Sequence, residues 1–278
     1  MAKLTVEELL KSKGKRKLAC TTVHDYYTAK ACEKAGIDML VTSSAFLRQY
    51  IAGDMVSSGT MYDLLTVLEG VRKGAPDTFV YVALPKGIAN KSDECAIEAA
   101  MIAMDHGADG IYYSGISYER IVALRKEMVP VFGHAGMIPW HKSWFNGCRA
   151  VGKTADEAMA VYHTSLKMQE AGCVAIELEC VPEPVATAIS GRLSIPTLSM
   201  GSGDGCDGQY LFSEDLLGQH CEHYPRHSLV YSHQFQETCE VLRRYSDAVK
   251  YGWSDTNQKL IDIPEQEMTR FKDLLDQE

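Results

Sequence analysis

The feature that most constrains the fold of this chain is a repeated alternation. Short apolar runs recur at residues 18–23 (LACTTV), 38–43 (DMLVTS), 78–84 (TFVYVAL), 110–113 (GIYY), 129–133 (VPVFG), 174–179 (VAIELE), 195–200 (IPTLSM) and 209–213 (QYLFS). Between them lie stretches with Ala and Leu at helical spacing, at 28–36, 62–74, 93–107, 118–128 and 154–172. Glycines at AGID, HGADG and AGCVA sit where a left-handed cap would end a helix before the next strand. Strands that alternate with helices pair in parallel, and eight such units over 278 residues predict a single α/β domain, a closed (β/α)8 barrel spanning residues 1–278. An open doubly wound sheet is the alternative, but no G-x-G-x-x-G follows the first strand. TVEELLKSKG (5–14) predicts an extra helix ahead of the barrel, and residues 237–252 and 264–278 predict helices appended after it.

Charge and cysteine content exclude several classes of function. With 37 acidic and 28 basic residues the net charge is −9, which disfavours a nucleic-acid partner. The N-terminus lacks an apolar signal core, and no apolar run has membrane-spanning length, so a cytoplasmic protein without a membrane partner is expected. Nine cysteines without C-x-x-C spacing argue against a disulfide framework or zinc cage.

In a (β/α)8 barrel the chemistry is built where the strands end. That rule selects His24-Asp25-Tyr26, Ser43-Ser44, Leu84-Pro85-Lys86, Tyr112-Tyr113-Ser114, His134, Glu179 and Gly201-Ser202-Gly203. Period-2 alternation places Glu177 and Glu179 on one face and Ile176 and Leu178 on the other. Glu179, at the strand end, is read as a general base; Glu177, one layer deeper, is read as structural, paired with a Lys or Arg. His134 precedes two small residues that leave room for a ligand. The other histidines read as solvated. The glycine-rich run MGSGDGCDGQY (200–210) lacks the Lys-Ser/Thr of a phosphate-binding loop.

The segments TTVHDYYTAKACEKAGIDMLV, RKGAPDTFVYVALP, VPVFGHAGMIP, AVGKTADEA, AGCVAIELECVPEPVA and IPTLSMGSGDGCDGQYL, in order between about residues 4 and 252, resemble the ketopantoate hydroxymethyltransferase family of the phosphoenolpyruvate mutase/isocitrate lyase superfamily. The resemblance implies a homo-oligomer, typically a decamer, that transfers a hydroxymethyl group from methylene-tetrahydrofolate to 3-methyl-2-oxobutanoate. It implies a magnesium ion that chelates the 2-oxo acid and a glutamate that removes the adjacent proton. Glu179 matches that base, His134 a substrate-contacting histidine, Ser44 a carboxylate-contacting serine, and Asp25-Tyr26 the Asp-Tyr after strand one.

The departures concentrate on the metal. The family's Gly-Asp after strand two is Thr42-Ser43 here, its aspartate after strand three is Ala83, and the lysine and glutamate after strand four are Tyr112 and Ser114. Magnesium depends on carboxylate charge, so no magnesium is expected at the family position. Lys86, in place of an aromatic residue, brings a positive charge near the vacated site. Three functions fit these residues. One is an aldol-type enzyme that abstracts a proton from a small 2-oxo acid or related carboxylate and forms or cleaves a C–C bond, with substrate contacts from Asp25, Ser43, Ser44, Lys86, Tyr112 and Ser114. The second is hydroxymethyl transfer in pantothenate synthesis with methylene-tetrahydrofolate as donor, and the third an inactive homologue that binds a small carboxylate.

Overall fold

A computed structural model describes residues 3–43, 59–85, 87–141, 143–144, 147–252 and 261–278. The chain divides into two compact units, Met1–His233 and Gln234–Glu278.

In the first unit, eight parallel strands close into a barrel in sequence order. They are β1 (Leu18–Thr22), β2 (Met39–Thr42), β3 (Phe79–Ala83), β4 (Gly110–Tyr112), β5 (Val131–Gly136), β6 (Ala175–Glu179), β7 (Thr197–Met200) and β8 (Gly208–Phe212). Helix α1 (Val6–Lys11) precedes β1. Around the sheet run α2 (Tyr26–Ala35), α3 (Met61–Gly74), α4 (Asp93–Asp105), α5 (Tyr118–Lys126), α6 (Ala155–Ala171) and α7 (Glu183–Arg192), and the short α8 (Ser213–Leu216) follows β8. The strand–helix alternation read from the sequence is therefore the architecture. Helix α7, between β6 and β7, had no helix expected over it: its Pro182 and Pro184 masked a pattern that is helical because proline is tolerated in a first turn.

Local chemistry sets the element ends. Asp25, Thr60, Ser92, Ser117 and Thr154 each accept a hydrogen bond from a backbone N–H in the first turn of the helix they precede. Gly36 and Gly172, at φ +80° and +107°, end α2 and α6 in the left-handed conformation that the sequence pattern predicted.

The core has two layers. Between sheet and helices, aliphatic side chains such as Leu40, Leu68, Val80, Ile111, Ile121 and Ile176 are fully buried. Inside the barrel, Leu18, Cys20, Met39, Val41, Phe79, Tyr81, Phe132, Leu198 and Tyr210 form a second cluster. The Tyr81 and Phe132 rings stack at 3.9 Å, with Phe79 tilted against Phe132 at 5.9 Å. This aromatic floor means that polar groups above it sit on a water-free base. Leu9 of α1 belongs to the same cluster, so the extra N-terminal helix packs onto the barrel interior. Asp207, just before β8, anchors the following turn by accepting from Lys13 Nζ at 2.7 Å, Gly14 N at 2.9 Å and Thr197 N at 2.8 Å.

The second unit holds α9 (Gln234–Tyr251) and α10 (Glu265–Leu275), the two helices expected at the C-terminal end. Both are amphipathic, and Val241, Leu242, Tyr245, Phe271 and Leu274 are exposed. Among the described residues no helix is long and apolar enough to cross a membrane.

Candidate active site

The C-terminal ends of β2 to β8 surround a cavity of about 100 Å3 lined by Ser43, Ala83, Leu84, Tyr112, Tyr113, Ser114, His134, Pro139, Glu177, Glu179, Met200, Tyr210 and Phe212. The space is small, room for roughly three water molecules by volume, and its walls combine phenols, one imidazole and two carboxyls. A larger groove at the opposite end of the barrel is lined by α1 and the starts of β2 and β3, away from this chemistry.

Strand pairing sets the arrangement. The β5–β6 register places His134 beside Glu177 and Gly136 beside Glu179. Gly136 is required there: its φ is +96°, and a Cβ would lie 2.3 Å from the Glu179 carbonyl oxygen. That carbonyl accepts from Met137 N at 2.9 Å, and Cys180 N donates to Met200 O at 2.8 Å, so the strand end that bears Glu179 is pinned on both sides. Cys180 itself has φ +51°, a left-handed conformation that costs a non-glycine residue about 1 kcal/mol. The strain falls on the residue directly after Glu179.

His134 is the hub. It is 1% exposed, with Glu177 at 3% and Glu179 at 7%. On one side its Nδ1 lies 2.7 Å from Tyr112 Oη and 2.8 Å from Ser114 Oγ, and Ser114 donates to Tyr112 at 3.0 Å. On the other side its Nε2 is 2.9 Å from Glu179 Oε2 and 4.0 Å from Glu177 Oε1. The Nε2–Glu179 contact is of ion-pair distance but off the line of a good hydrogen bond, and Glu177 Oε2 has no hydrogen-bond partner. The triad thus keeps unused hydrogen-bonding capacity facing the cavity.

Electrostatics follow from burial. Burial works against an imidazolium at His134, but the charges of Glu177 and Glu179 outweigh it and raise its pKa. Burial raises the Glu177 pKa, Glu179 raises it further, and His134 and a hydrogen bond from Tyr112 partly offset the rise. Burial also holds the Tyr112 and Tyr210 phenols well above their ordinary range, so both are neutral proton donors. The nearby Cys180 thiol is pushed up to about 11 by burial, which leaves it a poor nucleophile.

Of the residues selected from the sequence, Ser43, Tyr112, Ser114, His134 and Glu179 line one cavity. Ser44 and Lys86 lie outside the described residues. Asp25 is placed elsewhere: its carboxylate caps α2 by accepting from Thr28 N at 2.9 Å, and it does not line the cavity. Among the described residues the ion-pair neighbour of Glu177 is His134, on the inward face of β5, and the Lys or Arg partner expected from the sequence is not among them. His220 is not solvated as expected but half-buried, 2.8 Å from Asp215. Met200, Tyr210 and Phe212 were missed as lining residues; the inward period of QYLFS could have indicated the last two.

The positions of the family's metal-side acids are Ser43, Ala83 and Ser114 here, and they offer hydroxyls and a methyl group but no carboxylate, while Tyr112 replaces the family's substrate-holding lysine. A hard divalent cation draws its affinity from charged oxygen ligands, so this donor set does not fit magnesium. The carboxylates stand on β6. With His134 their donor atoms come within 4.8 Å of one another, the only such group of three among the described residues, and one in which the imidazole already serves as counter-charge.

Comparison with known proteins agrees with the geometry. The sequence model described as ketopantoate hydroxymethyltransferase matches residues 3–253. A 3-methyl-2-oxobutanoate hydroxymethyltransferase of Kosmotoga olearia is 34% identical over 253 residues, covering 90% of this chain and 94% of that protein. The 3-methyl-2-oxobutanoate hydroxymethyltransferase 1 of Methylibium petroleiphilum is 32% identical, covering 99% and 94%. Among solved structures, phosphonopyruvate hydrolase superposes with a TM-score of 0.61 at 11% identity, covering 98% of this chain and 97% of that one. A 2,3-dimethylmalate lyase of the phosphoenolpyruvate mutase/isocitrate lyase superfamily superposes at 0.60 and 13% identity, covering 99% and 96%; these two likenesses concern the fold alone. By sequence over nearly its whole length, the chain belongs to the ketopantoate hydroxymethyltransferase family.

Proposed function

We propose that this protein is an enzyme that enolises a small 2-oxo acid and forms or cleaves a C–C bond at the carbon so activated, without magnesium at the family position. The observation that carries this reading is the convergence of Glu179, His134 and Ser114 on one cavity whose family metal positions have lost every carboxylate. Glu179 is the base. Its carboxylate sits at a strand end, is nearly buried, and is backed by His134 at 2.9 Å, which orients it. Ser43 and Tyr113 border the same space and offer hydroxyls to a substrate carboxylate, to which the expected contacts Ser44 and Lys86 would add a hydroxyl and an ammonium.

The relatives are named for hydroxymethyl transfer to 3-methyl-2-oxobutanoate, and that name supports a second reading in which methylene-tetrahydrofolate is the one-carbon donor. Both readings share the enolisation step. The exposed apolar faces of α9 and α10 support a homo-oligomer, which light scattering on the purified protein would measure. The experiment that tests the function is incubation of the protein with a panel of 2-oxo acids, with and without methylene-tetrahydrofolate or simple aldehydes, followed by mass spectrometry of products. Product from at least one 2-oxo acid is expected, and ligand-induced thermal stabilisation with no product and no loss of substrate C–H would contradict it.

A further inference from the structure

We propose that Ser114, recharged by His134, is the acid that takes the place of the family's metal by protonating the ketone oxygen of the substrate as Glu179 removes the neighbouring proton. The inference rests on the 2-oxo acid reading above and assigns a catalytic role to a residue that, by position, replaces a glutamate near the metal.

The geometry places His134 between two groups that border one cavity, hydrogen-bonded to Ser114 on one side and at ion-pair distance from Glu179 on the other. Glu179 Oε2 lies 2.9 Å from His134 Nε2, and across the ring Nδ1 lies 2.8 Å from Ser114 Oγ. Ser114 and Glu179 both line the cavity, so a small keto acid bound there meets a base at one end and a hydroxyl at the other. Tyr112 closes a triangle with Nδ1 and Ser114 and holds the serine in reach of the imidazole; the serine's single proton, directed at Tyr112 Oη at 3.0 Å in this structure, turns to the ketone oxygen when a substrate is bound. The Tyr112 phenol is held neutral by burial and lies 2.7 Å from His134 Nδ1, which makes it the positioning residue of the set.

The step balances without a co-reactant. With His134 as imidazolium, the Glu179 carboxylate takes the proton on the carbon next to the ketone. The C–H electron pair forms the C=C bond, and the carbonyl π pair moves to oxygen. Ser114 donates its proton to that oxygen and receives the Nδ1 proton of His134. The result is an enol, a neutral Glu179 carboxylic acid and a neutral imidazole carrying its proton on Nε2. When the enol carbon attacks an aldehyde, the enol proton returns through Ser114 to Nδ1, and Glu179 delivers its proton to the new alkoxide. The starting charges are restored. A metal stabilises the enolate by charge; here the oxygen is neutralised by proton transfer, which is why hydroxyls suffice where carboxylates are absent.

The test is exchange of the C3 hydrogens of pyruvate, 2-oxobutanoate and 3-methyl-2-oxobutanoate in D2O, followed by proton NMR with full-length protein, because exchange requires enolisation and no acceptor. Ser114→Ala is expected to lower the exchange rate at least 100-fold with Ser114→Thr restoring it to within tenfold, and Tyr112→Phe to lower it less. A structural role would not change the pH profile: the wild-type rate should fall on the alkaline side as His134 loses its proton, and Ser114→Ala should lose that limb. Exchange by Ser114→Ala at the wild-type rate, with Glu179→Gln inactive, would overturn the relay and leave the base assignment standing. Absence of exchange by the wild type with every acid tried would overturn both.

Discussion

Replacing Glu177 by glutamine isolates the most unusual electrostatic feature of the barrel. Glu177 is 3% exposed, sits above the aromatic floor, and has only His134 as an ion-pair neighbour, at 4.0 Å, among the described residues. Burial, with Glu179 adding to it, raises its pKa from the ordinary 4.5 to about 7. A raised carboxyl pKa means that the folded state binds this proton more tightly than the unfolded chain. Its contribution to stability is therefore complete below pH 4.5 and is lost as the pH rises through about 7. At about 1.4 kcal/mol per pKa unit, the loss between pH 4.5 and 8 is on the order of 2–4 kcal/mol. His134 acts in the same direction, because its raised pKa gives stability that is present below 6.5 and lost as the pH climbs through the folded value. The groups facing His134 are Glu177 and Glu179 from β6 and Tyr112 and Ser114 from β4 and its end, so Glu177→Gln removes one of its two carboxylate neighbours. Urea denaturation of wild type and Glu177→Gln from pH 5 to 8.5 measures the difference, in which titrations outside the Glu177–His134–Glu179 cluster cancel to first order and the weakened His134 shift adds in the same direction. The variant should gain on the wild type as pH rises, by about 2–4 kcal/mol over that interval. A difference that is flat with pH would refute the reasoning.

Other perturbations probe the parts that hold the site. Gly136→Ala forces a Cβ to within 2.3 Å of the Glu179 carbonyl at a φ of +96°, and should destabilise the fold by about 2–4 kcal/mol in chemical denaturation, with loss of turnover even in the folded fraction. Asp207→Ala removes the acceptor shared by Lys13, Gly14 and Thr197, and should lower stability by about 2–4 kcal/mol, with substrate affinity per folded molecule unchanged because the site lies at the other end of the strands. For the metal, exhaustive treatment with a chelator should leave 2-oxo acid exchange within twofold of the untreated rate, and loss of exchange that magnesium restores would show the metal assignment to be wrong.

The fold was legible because its signals are local and repeated. Eight apolar runs and the glycines ending α2 and α6 mark a βα unit each time, and closure follows from their number. Helix α7 was hidden since its prolines read as loop residues until they are placed in the first turn. The place of Glu179 in the cavity wall was legible from alternation in VAIELE together with the family pattern. What the sequence hid was pairing across strands. Register, not spacing along the chain, brings His134 against Glu177 and Tyr112 and Ser114 against His134, so the neighbour of Glu177 among the described residues is an imidazole and not the Lys or Arg that was expected. Asp25 shows the opposite failure: its position at the end of β1 suited a site residue, yet an aspartate before a helix also suits a cap, and in the structure it caps α2. The substitution of Ser43 for a metal-binding aspartate was visible only against the family pattern, and its meaning depends on the hydroxyl cluster on β4.

The central claim is that Glu179 removes a proton from the carbon next to the ketone of a 2-oxo acid. Exchange of that hydrogen in D2O by wild type and by Glu179→Gln, with folding of both checked by circular dichroism, tests it most directly. Exchange by the wild type is expected, with a loss of at least 100-fold in the folded glutamine variant, within the 10²–10⁴-fold range of a general base. Equal exchange rates in the two proteins would contradict it.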